Sequence, residues 1–152
     1  MGISLSDQHQ GWSPDKAATE EFVTSLRYPT MAEGGPKLSA DPQDAFLYRA
    51  LVALAPNYSR VAQAIGSCVG HGYAMCVDIL SAVEIAVHGE AEDWPSRCLE
   101  ASIYGFSRVE ARGKKRAGRS DGSYGAAACK ALMNYGCLHY DIDYGGEKFT
   151  EY

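Results

Sequence analysis

The stretch AIGSCVGHGYAMCVDIL, residues 64–80, sets a thiol at the entrance of an apolar run. A helix N-terminus offers unpaired backbone N–H groups and a partial positive charge. Both stabilise a thiolate, so a cysteine there has a lowered pKa and becomes a better nucleophile. The same N–H groups can help to hold an oxyanion formed during acyl transfer. Gly66 lets a substrate approach the backbone closely. Gly70 and Gly72 are poor helix formers in the first turn, so their presence predicts tight packing or the close approach of another group. The competing reading is a small core residue at a tight turn. A catalytic thiol also needs a base within hydrogen-bond reach. His71, three residues on and about one helical turn along, is the nearest in sequence. His88 stands at the far end of the same helix, where it suits the negative end of the dipole. His139 follows the last helix and could fold back, and His9 belongs to the N-terminal arm.

Three other groupings invite chemistry. Cys68-x-x-His71 with Cys76, or Cys137-x-His139 with Cys129, has the residue types of a zinc site. Structural zinc sites, however, pair their ligands from two separate turns, and these cysteines lie on apolar helical faces, which favours packing. The run RGKKRAGR carries Arg112, Lys114, Lys115, Arg116 and Arg119. It reads first as a solvated loop, and more sharply as a docking site for nucleic acid or an acidic partner. Without interleaved aromatics its contacts would be to phosphates and salt-sensitive. The acidic residues Glu20, Glu21, Glu90 and Glu92 read as surface charge. Asp141 and Asp143, alternating with Ile142 and tyrosines, suit an edge strand. No cofactor is implied.

Helices must position these residues. Ser13 as cap, Pro14 at the first position and Asp15 at the positive end predict a helix with Ala18, Phe22, Val23 and Leu26 on a weak apolar face. A loop through Pro29, Gly34, Gly35 and Pro36 follows. Asp41 and Pro42 open a second helix that Pro56 ends, with Phe46, Leu47, Leu51, Val52 and Leu54 on its apolar side. One long helix is expected from Cys68 to His88, stopped by Gly89, with Val69, Tyr73, Cys76, Leu80, Val83 and Val87 as its inner stripe. Met75, Val77, Ile79 and Ile85 predict burial on further sides. Residues 98–112 predict a helix with Leu99, Ile103, Phe106 and Val109 inward. Residues 124–135 predict another, capped by Ser123 or Asp121 and ended by Gly136, before a tyrosine-rich tail with room for a short strand.

The chain of 152 residues fits one domain of ordinary size, and 46% hydrophobic residues suffice for a core. A formal net charge of −5 disfavours general nucleic-acid binding. Five cysteines, with no secretory signal at the start, predict reduced thiols in a cytosolic setting. No run reaches the roughly 20 apolar residues of a membrane span. Gly2 and Ser6 fit the short N-myristoylation pattern.

Three segments in order carry a resemblance. Gly66-Ser67-Cys68 before a buried helix, with Val69-Gly70-His71 after it, resembles the nucleophile region of papain-like cysteine peptidases, phage- or bacteria-encoded members above all. IYGFSRVE, residues 103–110, resembles the intervening helix of those members. DGSYGAAACKALMNYGCLHYDIDY, residues 121–144, resembles the later helix and its tyrosine-rich sequel. The resemblance spans residues 60–144. It implies the helical left-hand domain of that fold: mainly α, with a central helix starting at Cys68 and minor β near the C-terminus, becoming α+β where both domains are present. It divides the chain into an N-terminal arm and loop, residues 1–40, and the left-hand domain, 41–152. Departures accompany it. Ile65 and Val69 stand where the common signature has a cysteine and an aromatic. The family's oxyanion-donating glutamine falls at Ala62, and Gln63, one residue nearer, is the candidate in its place. The family's histidine follows the cysteine by roughly 130–150 residues, past Tyr152.

The expectation is therefore a catalytically incomplete papain-like domain serving as a structural or assembly component, a phage virion protein being the natural candidate. Its partners would be other proteins or copies of itself, its location the cytoplasm or the virion. An active thiol hydrolase is the first alternative, with Cys68 as nucleophile, Gln63 as donor, and His71, another chain or a C-terminal part supplying the base. An adaptor acting through the loop 112–119 is the second.

Overall fold

A computed structural model describes residues 15–26, 46–59, 62–63, 65–89, 91, 93–111, 113 and 122–150. In these the chain forms α1 (Lys16–Ser25), α2 (Tyr48–Leu54), α3 (Cys68–Ala86), α4 (Glu100–Arg108), α5 (Gly125–Tyr135) and a hairpin of β1 (Asp143–Tyr144) and β2 (Glu147–Lys148). The architecture is mainly helical, with the central helix opening at Cys68. α3 packs against α2, α4 and α5; α4 also packs on α5, and among the described helices α1 rests on α5 alone.

The ends of the helices follow local chemistry. A side-chain oxygen of Asp15 accepts the Ala18 N–H at 3.0 Å, so Asp15 itself caps α1. Ser13 and Pro14 lie outside the described residues, as do Asp41 and Pro42, and α2 begins at Tyr48. Gly136, with φ of 72°, ends α5 in a conformation that costs glycine little. The hairpin turns through Gly145 and Gly146, both at positive φ, as a two-residue turn matching the twist of its strands requires.

The apolar core is small and built of small residues. Val69, Ala74, Cys98, Ile103 and Ala128 form its buried centre, with Cys68, Tyr73, Val77, Leu132 and Cys137 packed on it. On α3 the buried line is Gly70, Ala74, Asp78 and Ala82, one residue every turn. Of the expected stripe, Val69 is buried and Tyr73 packs on the core, but Cys76 is exposed, and Leu80 and Val87 are 56% and 68% exposed. Small residues win this face because α4 lies too close for large ones. A methyl group on Gly70 would stand 2.6 Å from the Glu100 carbonyl oxygen and 2.9 Å from Tyr104 Cβ. Gly72 has open space instead, so the close approach expected of both glycines holds at Gly70 only.

Similar corrections apply elsewhere. Of the apolar side expected for α2, Leu51 is buried, while Phe46, Leu47 and Val52 are exposed. α4 is shorter than residues 98–112; Leu99 and Ile103 face inward, but Val109 is exposed. Phe22 is buried, with the Lys130 ammonium 5.9 Å from its ring centre, while its neighbour Val23 is exposed. By length and composition α3 would suffice to cross a membrane, contrary to the reading of the sequence. Here it is the helix on which three others pack, and it carries a buried carboxylate.

Candidate functional site

Cys68 is the first residue of α3, as its sequence position implies, and it is half-buried. Ser67 occupies the cap position without a side-chain capping bond. Its hydroxyl donates to the Ile65 carbonyl at 3.4 Å, and its N–H donates to the same oxygen at 2.7 Å. Gln63 Nε2 also donates to Ile65 O, at 2.7 Å, so this side chain is spent on the turn before the helix. His71 donates its backbone N–H to Ser67 O at 3.1 Å, an ordinary helical bond. Its imidazole lines a cleft of about 340 Å³ together with Tyr58, Gln63, Met75, Arg97 and Glu100. Three residues along a helix turn a side chain by about 60°. That turn leaves Cys68 on the core side and His71 on the cleft side. Among the described residues no imidazole nitrogen hydrogen-bonds Cys68 Sγ. Arg112, Lys114, Lys115, Arg116 and Arg119 all lie outside the described residues.

The thiol–imidazole pair that does form is elsewhere. Cys98 and His139 make an isolated antiparallel bridge. Leu99 N–H donates to Leu138 O at 2.8 Å, and Tyr140 N–H to Arg97 O at 3.0 Å, which fixes the segment before α4 beside the segment after α5. Cys137 Sγ lies 3.6 Å from His139 Nε2, and His139 Nδ1 lies 3.0 Å from the Ser96 carbonyl oxygen. A carbonyl only accepts, so Nδ1 carries the hydrogen and Nε2 faces the sulfur. The Tyr144 hydroxyl accepts the His139 backbone N–H at 2.7 Å, tying the hairpin to the same segment.

Asp78 supports this place from the middle of α3. It is 1% exposed, and its two oxygens are both engaged. Oδ1 accepts the Cys98 backbone N–H at 2.9 Å and Oδ2 accepts the Tyr58 hydroxyl at 2.8 Å. Burial pushes the Asp78 carboxyl above its ordinary value, against the two hydrogen bonds that favour the anion. Burial and the Asp78 bond together push the Tyr58 hydroxyl up.

The sulfur atoms divide their proton unequally. A hydrogen bond from the Cys98 thiol, then the contact with His139, pulls Cys137 down to about 5 against the opposing effect of burial. Cys98 is held far above an ordinary thiol by that same bond and by burial. The Cys137 contact raises His139, burial opposes it, and the Ser96 carbonyl adds to the rise. The arrangement thus favours a thiolate on Cys137 and a proton on His139 beside it, while Cys98 holds its own proton.

Cys129 takes no part in it. Its thiol donates to the Tyr73 hydroxyl at 3.1 Å, so the Cys129–Cys137–His139 grouping considered for zinc does not assemble. Among the described residues no group of three or more His, Cys, Asp or Glu side chains is arranged to hold a metal ion. The sequence signal for the pair was the alternation Cys137-x-His139 after a glycine-terminated helix, which puts both side chains on one side of an extended segment. Nothing local in the sequence joins Cys98 or Asp78 to them. Compared with models of protein families, with curated proteins and with solved structures, the chain finds no match.

Proposed function

We propose that the chain is a binding or assembly component built on a helical domain similar to the left-hand half of papain-like cysteine peptidases, with Cys68 used for packing and not for catalysis. One observation carries the reading: among the described residues no imidazole hydrogen-bonds the thiol at the mouth of α3, while His71 lines the cleft. A thiol without a base is a weak nucleophile whatever its helix dipole supplies. The apolar side chains left on the outside agree with a role in contact. Leu47, at the cap of α2, and Tyr48 and Val52 on it are each about half exposed, at 50%, 52% and 54%. Contiguous exposed apolar surface seeks a partner. The resemblance to phage-encoded members makes the virion, with assembly in the cytoplasm, the setting of choice.

Site-resolved alkylation with iodoacetamide near neutral pH tests this, together with size-exclusion chromatography of the native chain. Cys68 reacting at the rate of an ordinary free thiol, in a protein that elutes as an assembly, is the expected result. Cys68 reacting some hundredfold faster than glutathione would overturn it. That outcome would favour the second reading, a thiol hydrolase whose base comes from another chain, which the half-buried sulfur at the first residue of α3 leaves room for.

A further inference from the structure

The densest meeting of reactive side chains lies away from Cys68. The bridge between Cys98 and His139 sets two extended segments side by side. Side chains alternate along such a segment, so Cys137 and His139 leave it on one side, and Cys98, opposite His139, shares that side. Cys137 packs on the buried core centre that contains Cys98, and His139 Nε2 is 3.6 Å from the Cys137 sulfur. His139 is oriented in turn by the Ser96 carbonyl, and Cys98 by its own N–H on Asp78. Access is unequal: Cys98 is fully buried, while Cys137 is partly exposed. A small reagent therefore meets Cys137 first, with the buried Cys98 in the core on which Cys137 packs. The remaining cysteines are placed otherwise. Cys129 is engaged with Tyr73, and among the described residues neither Cys68 nor Cys76 has an imidazole partner.

We propose that Cys137 is a peroxide-reactive thiol and Cys98 its resolving partner, so that a hydroperoxide closes a reversible disulfide between them. The Cys137 sulfur attacks one oxygen of the hydroperoxide, a sulfur–oxygen bond forms and the O–O bond breaks. The departing alkoxide or hydroxide takes the proton that the Cys137–His139 pair shares. Cys137 is then a sulfenic acid. The Cys98 thiol attacks that sulfur, the S–O bond breaks, and the leaving hydroxide departs as water with the Cys98 proton. Two thiols have been oxidised by two electrons, and the peroxide has been reduced to water and an alcohol or a second water. A thiol reductant reverses the bond by exchange. The cross-link would fasten the entrance of α4 to the exit of α5. This inference is independent of the role assigned to Cys68.

The test uses the wild-type chain. Native protein is treated with one equivalent of hydrogen peroxide, blocked with N-ethylmaleimide and mapped by peptide mass. A peptide linking Cys98 to Cys137, an intact mass lower by about 2 Da and recovery with dithiothreitol are expected. The reaction of a His139→Gln variant should slow by about tenfold, with its circular dichroism unchanged. A stable sulfenic acid on Cys137 with no link to Cys98, or first oxidation at Cys68, Cys76 or Cys129, overturns the proposal. Peroxide treatment that leaves all five thiols free to maleimide overturns it equally.

Discussion

Gly70→Ala tests whether α3 and α4 are held together by the absence of a side chain. The added methyl would stand 2.6 Å from the Glu100 carbonyl oxygen and 2.9 Å from Tyr104 Cβ, against ordinary carbon contacts of about 3.5–4 Å. Both obstacles belong to the body of α4, so no side-chain rotation relieves them. The two helices must separate by about 1 Å, which forfeits a quarter to a half of each dispersion contact across the gap. Overpacking of this kind costs about 1–3 kcal/mol. Alanine returns up to about 1 kcal/mol of helix propensity. Loosened contacts of the buried residues Val69, Ala74 and Ile103 add to the loss. A net destabilisation of about 2 kcal/mol is expected, or a melting temperature lower by about 4–8 °C for a chain of this length. Gly72→Ala supplies the control on the same helix. It meets nothing within 4 Å and should gain about 0.5–1 kcal/mol. Urea titration of both variants measures the difference, about 2.5–3 kcal/mol between them. A Gly70→Ala protein as stable as wild type would refute the close crossing.

Asp78→Ala leaves the Cys98 N–H and the Tyr58 hydroxyl without their acceptor and should cost about 2–4 kcal/mol in urea titration. The folded-state pKa of Asp78 is raised, so wild type loses stability as pH rises from the unfolded value of about 3.8 through the folded one; Asp78→Asn should flatten that fall. Phe22→Ala empties the contact of α1 with α5 and should cost about 3 kcal/mol, read as early proteolysis near α1. Alkylation of Cys137, faced by Cys98 and His139 with Asp78 nearby, should persist on acidification and fall to half near pH 5, as peptide-resolved iodoacetamide labelling would show.

The sequence made the helices legible where capping and termination are local. Gly136 after the alanine-rich run marked the end of α5 within a residue, and Cys68 marked the start of α3. The alternation of Asp141 and Asp143 with Ile142 and tyrosines pointed to β-structure in the tail, where β1 forms at Asp143–Tyr144. The inner face of α3 was less legible, because periodicity counts large apolar residues. Here the tightest packing uses Gly70, Ala74 and Ala82, and the neighbour that demands small residues is distant in sequence. Asp78 sat unnoticed in an apolar run, since only the fold reveals that Tyr58 and the Cys98 backbone supply its hydrogen bonds. At the site, Cys68 is legible as a helix start, but residue spacing does not resolve the rotation of about 60° that turns His71 away from it. The Cys137–His139 pair is visible as spacing, which suggests packing before metal; its thiol neighbour Cys98 requires the bridge between two remote segments.

Asp78 also shapes how the chain is able to come apart. Its two partners stand twenty positions before and twenty after it along the chain. Neither flank can detach alone without leaving a buried carboxyl oxygen unpaired, so opening one raises the cost of keeping the other. The segment that ends at Tyr58, the centre of α3 and the approach to α4 are therefore expected to unzip as one unit. Amide exchange at the Cys98 N–H should then report the breakup of that whole unit and not the fraying of a single loop.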